Sequence, residues 1–89
     1  MGFFVYILRS ERDGSLYVGH TNNLPRRFAQ HNDPRSNSYT AKRGPWMLVH
    51  SEIHPNRSAA SIRERFLKSV AGSREKRRLA ADGTRAEQG

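Results

Sequence analysis

The chain has 89 residues, no cysteine, and sixteen Lys and Arg against eight Asp and Glu, a net charge of +8 before histidine is counted. A single domain of that length buries roughly 60–65% of the surface its unfolded chain exposes, so the core is small and polar residues enter it only for a reason. A disulfide framework and a thiolate metal site are excluded. The positive balance concentrates polyanions around the molecule, which makes nucleic acid the first partner to consider. A membrane is not expected, because the longest apolar run, Phe3 to Leu8, is far too short to span a bilayer. That run begins without a charged-then-apolar leader, so a cytoplasmic protein is the expectation.

Phe3-Phe4-Val5-Tyr6-Ile7-Leu8 predicts a strand covered on both faces and central in its sheet. Asp13-Gly14 signals a turn, and Leu16 to Thr21 forms the returning strand. Strands so close in sequence pair antiparallel, since a parallel partner needs a long crossover. Register decides what the tyrosines can do, because a slip of one residue reverses every face. A four-residue loop, Glu11 to Gly14, pairs Ser10 with Ser15, sets Gly19 opposite Tyr6, and sets Leu8 opposite Tyr17. Tyr6 and Tyr17 are then diagonal neighbours on one face, their Cβ atoms about 7–8 Å apart. Gly19 leaves a patch beside Tyr6 where a substrate can approach the sheet. A three-residue loop would put the two phenols on opposite faces.

Thr21-Asn22-Asn23 offers caps for a short helix to about His31, with Pro25 tolerated in its first turn. At about 100° per residue, Leu24, Arg27, Phe28 and His31 share the stripe that faces the sheet, and Arg26, Ala29 and Gln30 point away. Arg26 reads as an ordinary solvated charge, whereas Arg27 needs a partner. Residues 32–45 form an aperiodic surface loop, in which Arg35, Tyr39, Lys42 and Arg43 suit phosphate gripping and base stacking. The bland alternative is a polar connection.

Trp46 to Ile53 is a third strand anchored by Trp46. Ser58 caps a second helix with Ala59, Ile62, Phe66 and Val70 as its core stripe and Gly72 at its end. Glu64 lies at the edge of that apolar arc, flanked by Ala60 and Leu67. Residues 73–89 read as a basic, weakly helical tail with a partly disordered end. The expected class is α+β, a small three-stranded antiparallel sheet flanked by helices, with residues 1–72 as the domain.

The segments VYIL, LYVGHTNNLPRR and AASIRERFLK resemble, in order and spacing, the GIY-YIG nuclease family over roughly residues 3–72. The likeness is to small stand-alone members and to the nuclease domain of excision-repair endonucleases. Tyr17-Val18-Gly19 differs from the second signature only by Val for Ile. Phe4-Val5-Tyr6 keeps the tyrosine of the first signature without its glycine, and no asparagine after Asn56 matches the one some members use beyond the glutamate helix.

The resemblance implies an endonuclease that hydrolyses phosphodiester bonds of DNA, with RNA as a second candidate, using Mg²⁺ or Mn²⁺ and no small-molecule cofactor. Its active-site residues map to Tyr6, Tyr17, Arg27, His31 and Glu64. Arg27 would grip the phosphate with a fork of donors that Lys could not reproduce. Glu64 would hold the metal, since one carboxylate with waters and phosphate oxygens is a normal Mg²⁺ set. Taken alone, Glu64 is a surface partner of Lys68 at i+4. One tyrosine, Tyr6 ahead of Tyr17, would activate the water and the other orient it, although a phenol with a free pKa near 10 needs perturbation or a relay through His31. Without the resemblance both tyrosines are sheet packing and His31 a helix-end histidine. A four-histidine metal site is not expected, because His50 and His54 stand about 13 Å apart along the third strand. The rival readings are a nucleic-acid-binding module that keeps the fold without cleaving, and a basic protein-interaction domain.

Overall fold

A computed structural model describes residues 2–35 and 42–88. In chain order the elements are β1 (Phe3–Ser10), β2 (Leu16–Thr21), α1 (Leu24–Asn32), β3 (Trp46–His54), α2 (Arg57–Lys68) and α3 (Ser73–Gln88). The three strands form one antiparallel sheet in the order β2-β1-β3, so β1 is central.

The first turn sets the register. Gly14 takes φ +79°, a conformation that costs other residues a Cβ clash, and the Asp13 carboxylate accepts from the Ser15 N–H at 2.9 Å and its hydroxyl at 2.7 Å. Ser10 N–H then donates to the Ser15 carbonyl at 2.9 Å. Tyr6 falls opposite Gly19 and Leu8 opposite Tyr17, as the four-residue loop requires.

Strand alternation sorts side chains into two layers. Val5, Ile7, Val18 and Val49 on one face pack with Ala60, Leu67 and Ala80 of α2 and α3, whereas Tyr6, Leu8 and Trp46 on the other pack with Tyr17, Leu24 and Phe28. Burying each large apolar side chain contributes about 1.5–3 kcal/mol, so β1, buried on both faces, dominates the core.

α1 starts at Asn23, whose side chain accepts from the Arg26 N–H at 3.2 Å. Its far end is clasped to β3, with the Trp46 N–H donating to Asn32 Oδ1 at 2.6 Å and Asn32 Nδ2 donating to the Trp46 carbonyl at 3.1 Å.

α2 differs from its sequence reading. Asn56, not Ser58, caps it, accepting from the Ala59 N–H at 2.8 Å. The face turned to the sheet carries Ala60 and Leu67, while Ile62, Phe66 and Val70 are 64%, 41% and 94% exposed. Small residues decide the rotation. Ala60 lets the helix lie close on the sheet, and a Cβ on Gly72 would stand 2.0 Å from the Phe66 carbonyl, so the chain turns back tightly against the end of the helix.

The basic segment from residue 73 forms α3, which crosses β3 with Leu79 and Ala80 packed into the core. The crossing rests on an irregularity in β3. Ile7 pairs with His50 and Leu8 with Leu48, which leaves Val49 bulged between them, and a Cβ on Gly83 would lie 1.4 Å from the Val49 carbonyl oxygen. Among the described residues no helix is long and apolar enough to cross a membrane.

Candidate active site

Tyr6, Tyr17, Arg27 and His31 converge on the α1 face of the sheet. The two phenol rings have centroids 6.4 Å apart, and the His31 ring lies 5.7 Å from Tyr6 and 5.0 Å from Tyr17. Tyr6 hydroxyl and His31 Nε2 are hydrogen bonded at 2.8 Å, and both residues are buried, 1% and 2% exposed. Burial pushes the Tyr6 phenol up to about 12, with the Arg27 guanidinium beside it pulling the other way. Burial likewise drives His31 down to about 4, and the Arg27 charge adds to the effect. At neutral pH the pair is therefore a neutral phenol against a neutral imidazole.

Gly19 explains how Tyr6 fits. A Cβ there would stand 2.5 Å from the Tyr6 oxygen and 3.1 Å from a Tyr17 ring carbon. The space beside Tyr6 is thus taken by the phenol itself and not left open for a substrate.

Arg27 is half-buried on the same stripe. Its Nη1 donates to Gln30 Oε1 at 3.1 Å, and interaction with the Tyr6 oxygen raises the guanidinium above its ordinary value, Tyr17 adding to the rise. Beyond it opens a cleft of about 300 Å³ between the end of β2, the start of α1 and the start of α2. Arg26, Arg27, Arg57 and His20 line this cleft, and no Asp or Glu does among the described residues. The Arg57 guanidinium lies 5.2 Å from the Phe3 ring centroid at its wall. Arg26, read from periodicity as an ordinary solvated charge, stands on the rim, and Arg57 joins it from the first residue of α2. Only the tertiary placement of the α2 N-terminus reveals Arg57, whereas adjacency to Arg27 was a usable signal for Arg26.

Glu64 lies on α2, in the opposite layer, and meets His20 of β2, which lines the cleft. Its Oε1 accepts from His20 Nδ1 at 2.5 Å, and its Oε2 from Lys68 Nζ at 2.8 Å. Burial alone would raise this carboxyl, but the Lys68 and His20 bonds outweigh it and leave Glu64 below its ordinary value, hence ionised. The Lys68 ammonium also lies 5.8 Å from the Tyr17 ring centroid, which links the two halves. The i+4 partnership with Lys68 is real, and Glu64 is connected to the cleft through His20.

The loop cations lie elsewhere. Lys42 and Arg43 flank the hairpin turn, where the Arg43 carbonyl accepts from the Ser10 hydroxyl at 2.8 Å and the Lys42 carbonyl from Arg12 at 3.4 Å. That is about 13 Å along β1 from Tyr6. Arg35 is paired with Asp33 at 3.2 Å, and Tyr39 lies outside the described residues. His50 and His54 both bond Glu52, at 2.8 and 2.9 Å, and Arg63 joins them at 2.7 Å. Those three partners outweigh the effect of burial and hold Glu52 down to about 2.

The model of the GIY-YIG catalytic domain matches residues 2–78. The chain belongs to the GIY-YIG family. It is 43% identical over 81 residues to a UPF0213 protein of Natronomonas pharaonis, covering 91% of this chain and 93% of that one. It is 36% identical over 84 residues to a UPF0213 protein of Clostridium perfringens, covering 94% and 89%. The solution NMR structure of a UPF0213 protein from Bacillus halodurans matches with a TM-score of 0.56 at 31% identity, over 93% of this chain and 87% of that one. The α+β fold is shared with it.

As a GIY-YIG protein the chain invites a test of whether its residues suit a metal. Among the described residues no three His, Cys, Asp or Glu could hold an ion together. The donor set is one ionised, half-buried carboxylate beside a cationic cleft. That suits Mg²⁺ or Mn²⁺, which keep most of their waters and take phosphate oxygens as the remaining ligands.

Proposed function

We propose that this GIY-YIG domain is an endonuclease that hydrolyses phosphodiester bonds of DNA with the aid of a divalent cation. The observation that carries the reading is the placement of Arg27. One permanently charged guanidinium lies against both phenols of the family signature and also lines a cleft of about 300 Å³ with Arg26 and Arg57 and no acid among the described residues. A phosphodiester is the anion that such a pocket recognises.

Burial divides the work. Arg27 and Tyr17, which solvent reaches, touch the substrate. Tyr6 and His31 lie behind them and keep Arg27 oriented. Arg27 donates to the non-bridging oxygens and stabilises the charge that grows on them as water attacks. Tyr17 orients that water and, once its own phenolic proton has passed to solvent, accepts the proton the water loses. Tyr6, with its phenol pushed up to about 12, keeps its own proton and hydrogen bonds His31. This gives the water to Tyr17 and a supporting part to Tyr6, the reverse of the order favoured from sequence. Glu64 would hold the metal, and the bound cation would supply positive charge for the departing oxygen. Arg26 and Arg57 position the flanking backbone.

Mg²⁺-dependent cleavage of an end-labelled duplex, parent against Arg27→Ala, tests the assignment. The parent cuts and the variant does not. A parent that binds the duplex and leaves it whole is a nucleic-acid-binding module instead.

A further inference from the structure

Glu64 is gripped unequally at its two oxygens. Oε1 is bonded at 2.5 Å by His20, whose backbone is fixed in β2 by pairing with Val5. Oε2 is bonded at 2.8 Å by Lys68, one helical turn along α2. The Lys68 side chain is 49% exposed against 19% for Glu64, and exposed i,i+4 pairs are among the weakest ion pairs. A carboxylate this buried needs a counter-charge, and Lys68 supplies it from a flexible four-carbon stem.

We propose that Lys68 is the resident cation at Glu64 Oε2 and yields that position when a divalent cation binds, turning toward Tyr17 as it leaves. The inference rests on the endonuclease reading and adds a residue to it. An ammonium and a divalent ion on one oxygen repel each other strongly, so the two exclude one another. His20 keeps Oε1 in place throughout, so the carboxylate need not be rebuilt when its partner changes. The Tyr17 ring is already 5.8 Å from the ammonium, which gives the released charge a destination beside the residue that handles the water. Lys68 is in this account a positioning residue. It weakens metal binding by competition and delivers a second positive charge to Tyr17 only in the loaded protein.

The test is a Mn²⁺ titration of the full chain without DNA, following the electron spin resonance signal of free Mn²⁺, for the parent, Lys68→Met and Glu64→Gln. Met preserves the apolar stem and removes the charge, and amide NMR spectra check that the folds match. Lys68→Met is expected to bind Mn²⁺ about twofold to fivefold more tightly, the size of the i,i+4 ion pair that the divalent cation otherwise has to break. It is also expected to cleave DNA more slowly than the parent at saturating Mn²⁺. Glu64→Gln loses the binding. Unchanged or weaker Mn²⁺ affinity in Lys68→Met, with Glu64→Gln still defective, overturns the exchange and leaves the endonuclease reading intact. Equal binding in Glu64→Gln, or none in all three proteins, removes Glu64 as the metal position and takes both down.

Discussion

The Tyr6 hydroxyl lies over the bare Cα of Gly19, where a Cβ would be 2.5 Å from its oxygen. The second family signature therefore serves the first. Its glycine is the space in which the buried phenol of β1 lies flat, close to Tyr17 and in hydrogen-bond reach of His31.

Gly19→Ala tests this packing. The new methyl meets two aromatic rings held on both sides, so the variant is expected to lose about 1–3 kcal/mol of stability in urea unfolding. Cleavage should fall with it, because Tyr6 no longer supports Arg27. A variant as stable as the parent would show that the phenols have room to move.

Stability should fall with acid because of His31. Its pKa in the folded chain is about 4 against 6.5 for a free imidazole, so the unfolded state takes up the proton first as pH drops. The contribution is complete above pH 6.5 and is lost as pH falls from there toward 4. Between pH 7 and pH 5 it amounts to about 2 kcal/mol. Glu52 and Glu64, both lowered, titrate below that window. Urea midpoints at the two pH values should diverge for the parent and much less for His31→Gln. Equal divergence in both proteins would clear His31 of the effect.

The sheet was legible in the sequence because short-range chemistry fixes it. Asp13-Gly14 dictates the turn, the turn dictates an even loop, and the loop puts both phenols on one face. The face of α2 was not legible. Two stripes compete in that segment, and the richer one, Ile62 with Phe66 on the helix and Val70 just past its end, faces solvent. The buried stripe carries Glu64, a penalty that Lys68 one turn along and His20, 44 residues away, offset together. The cleft lay out of reach for the same reason, since Arg57 joins Arg26 and Arg27 only once α2 is docked.

Docking of α3 is expected to be sensitive to Gly83. A methyl there runs into the Val49 carbonyl, backbone that cannot swing aside, so Gly83→Ala must lift the helix and expose Leu79 and Ala80. A cost of about 2–4 kcal/mol in a thermal or urea melt is expected. An unchanged melt would mean that α3 does not rest on the bulge of β3.

Arg26 and Arg57 should act through phosphate. Replacing either with Ala is expected to weaken duplex binding and to reduce the slope of log affinity against log salt by about 1. Arg78, tied to Glu75 and Asp82 on α3, serves as the control, and Arg78→Ala should leave the slope alone. Identical slopes in all three variants would place the DNA elsewhere.

The most direct measurement is the nicking of supercoiled plasmid with Mg²⁺ by the parent, Glu64→Gln and Tyr17→Phe, with binding to the same plasmid recorded in parallel. The account predicts that the parent nicks, and that both variants bind as the parent does yet cut about a hundredfold more slowly, Tyr17→Phe because a proton-transfer group is removed and Glu64→Gln because the position of the divalent cation is lost. A parent that leaves the plasmid closed, or variants that cut at the parent's rate, would contradict it.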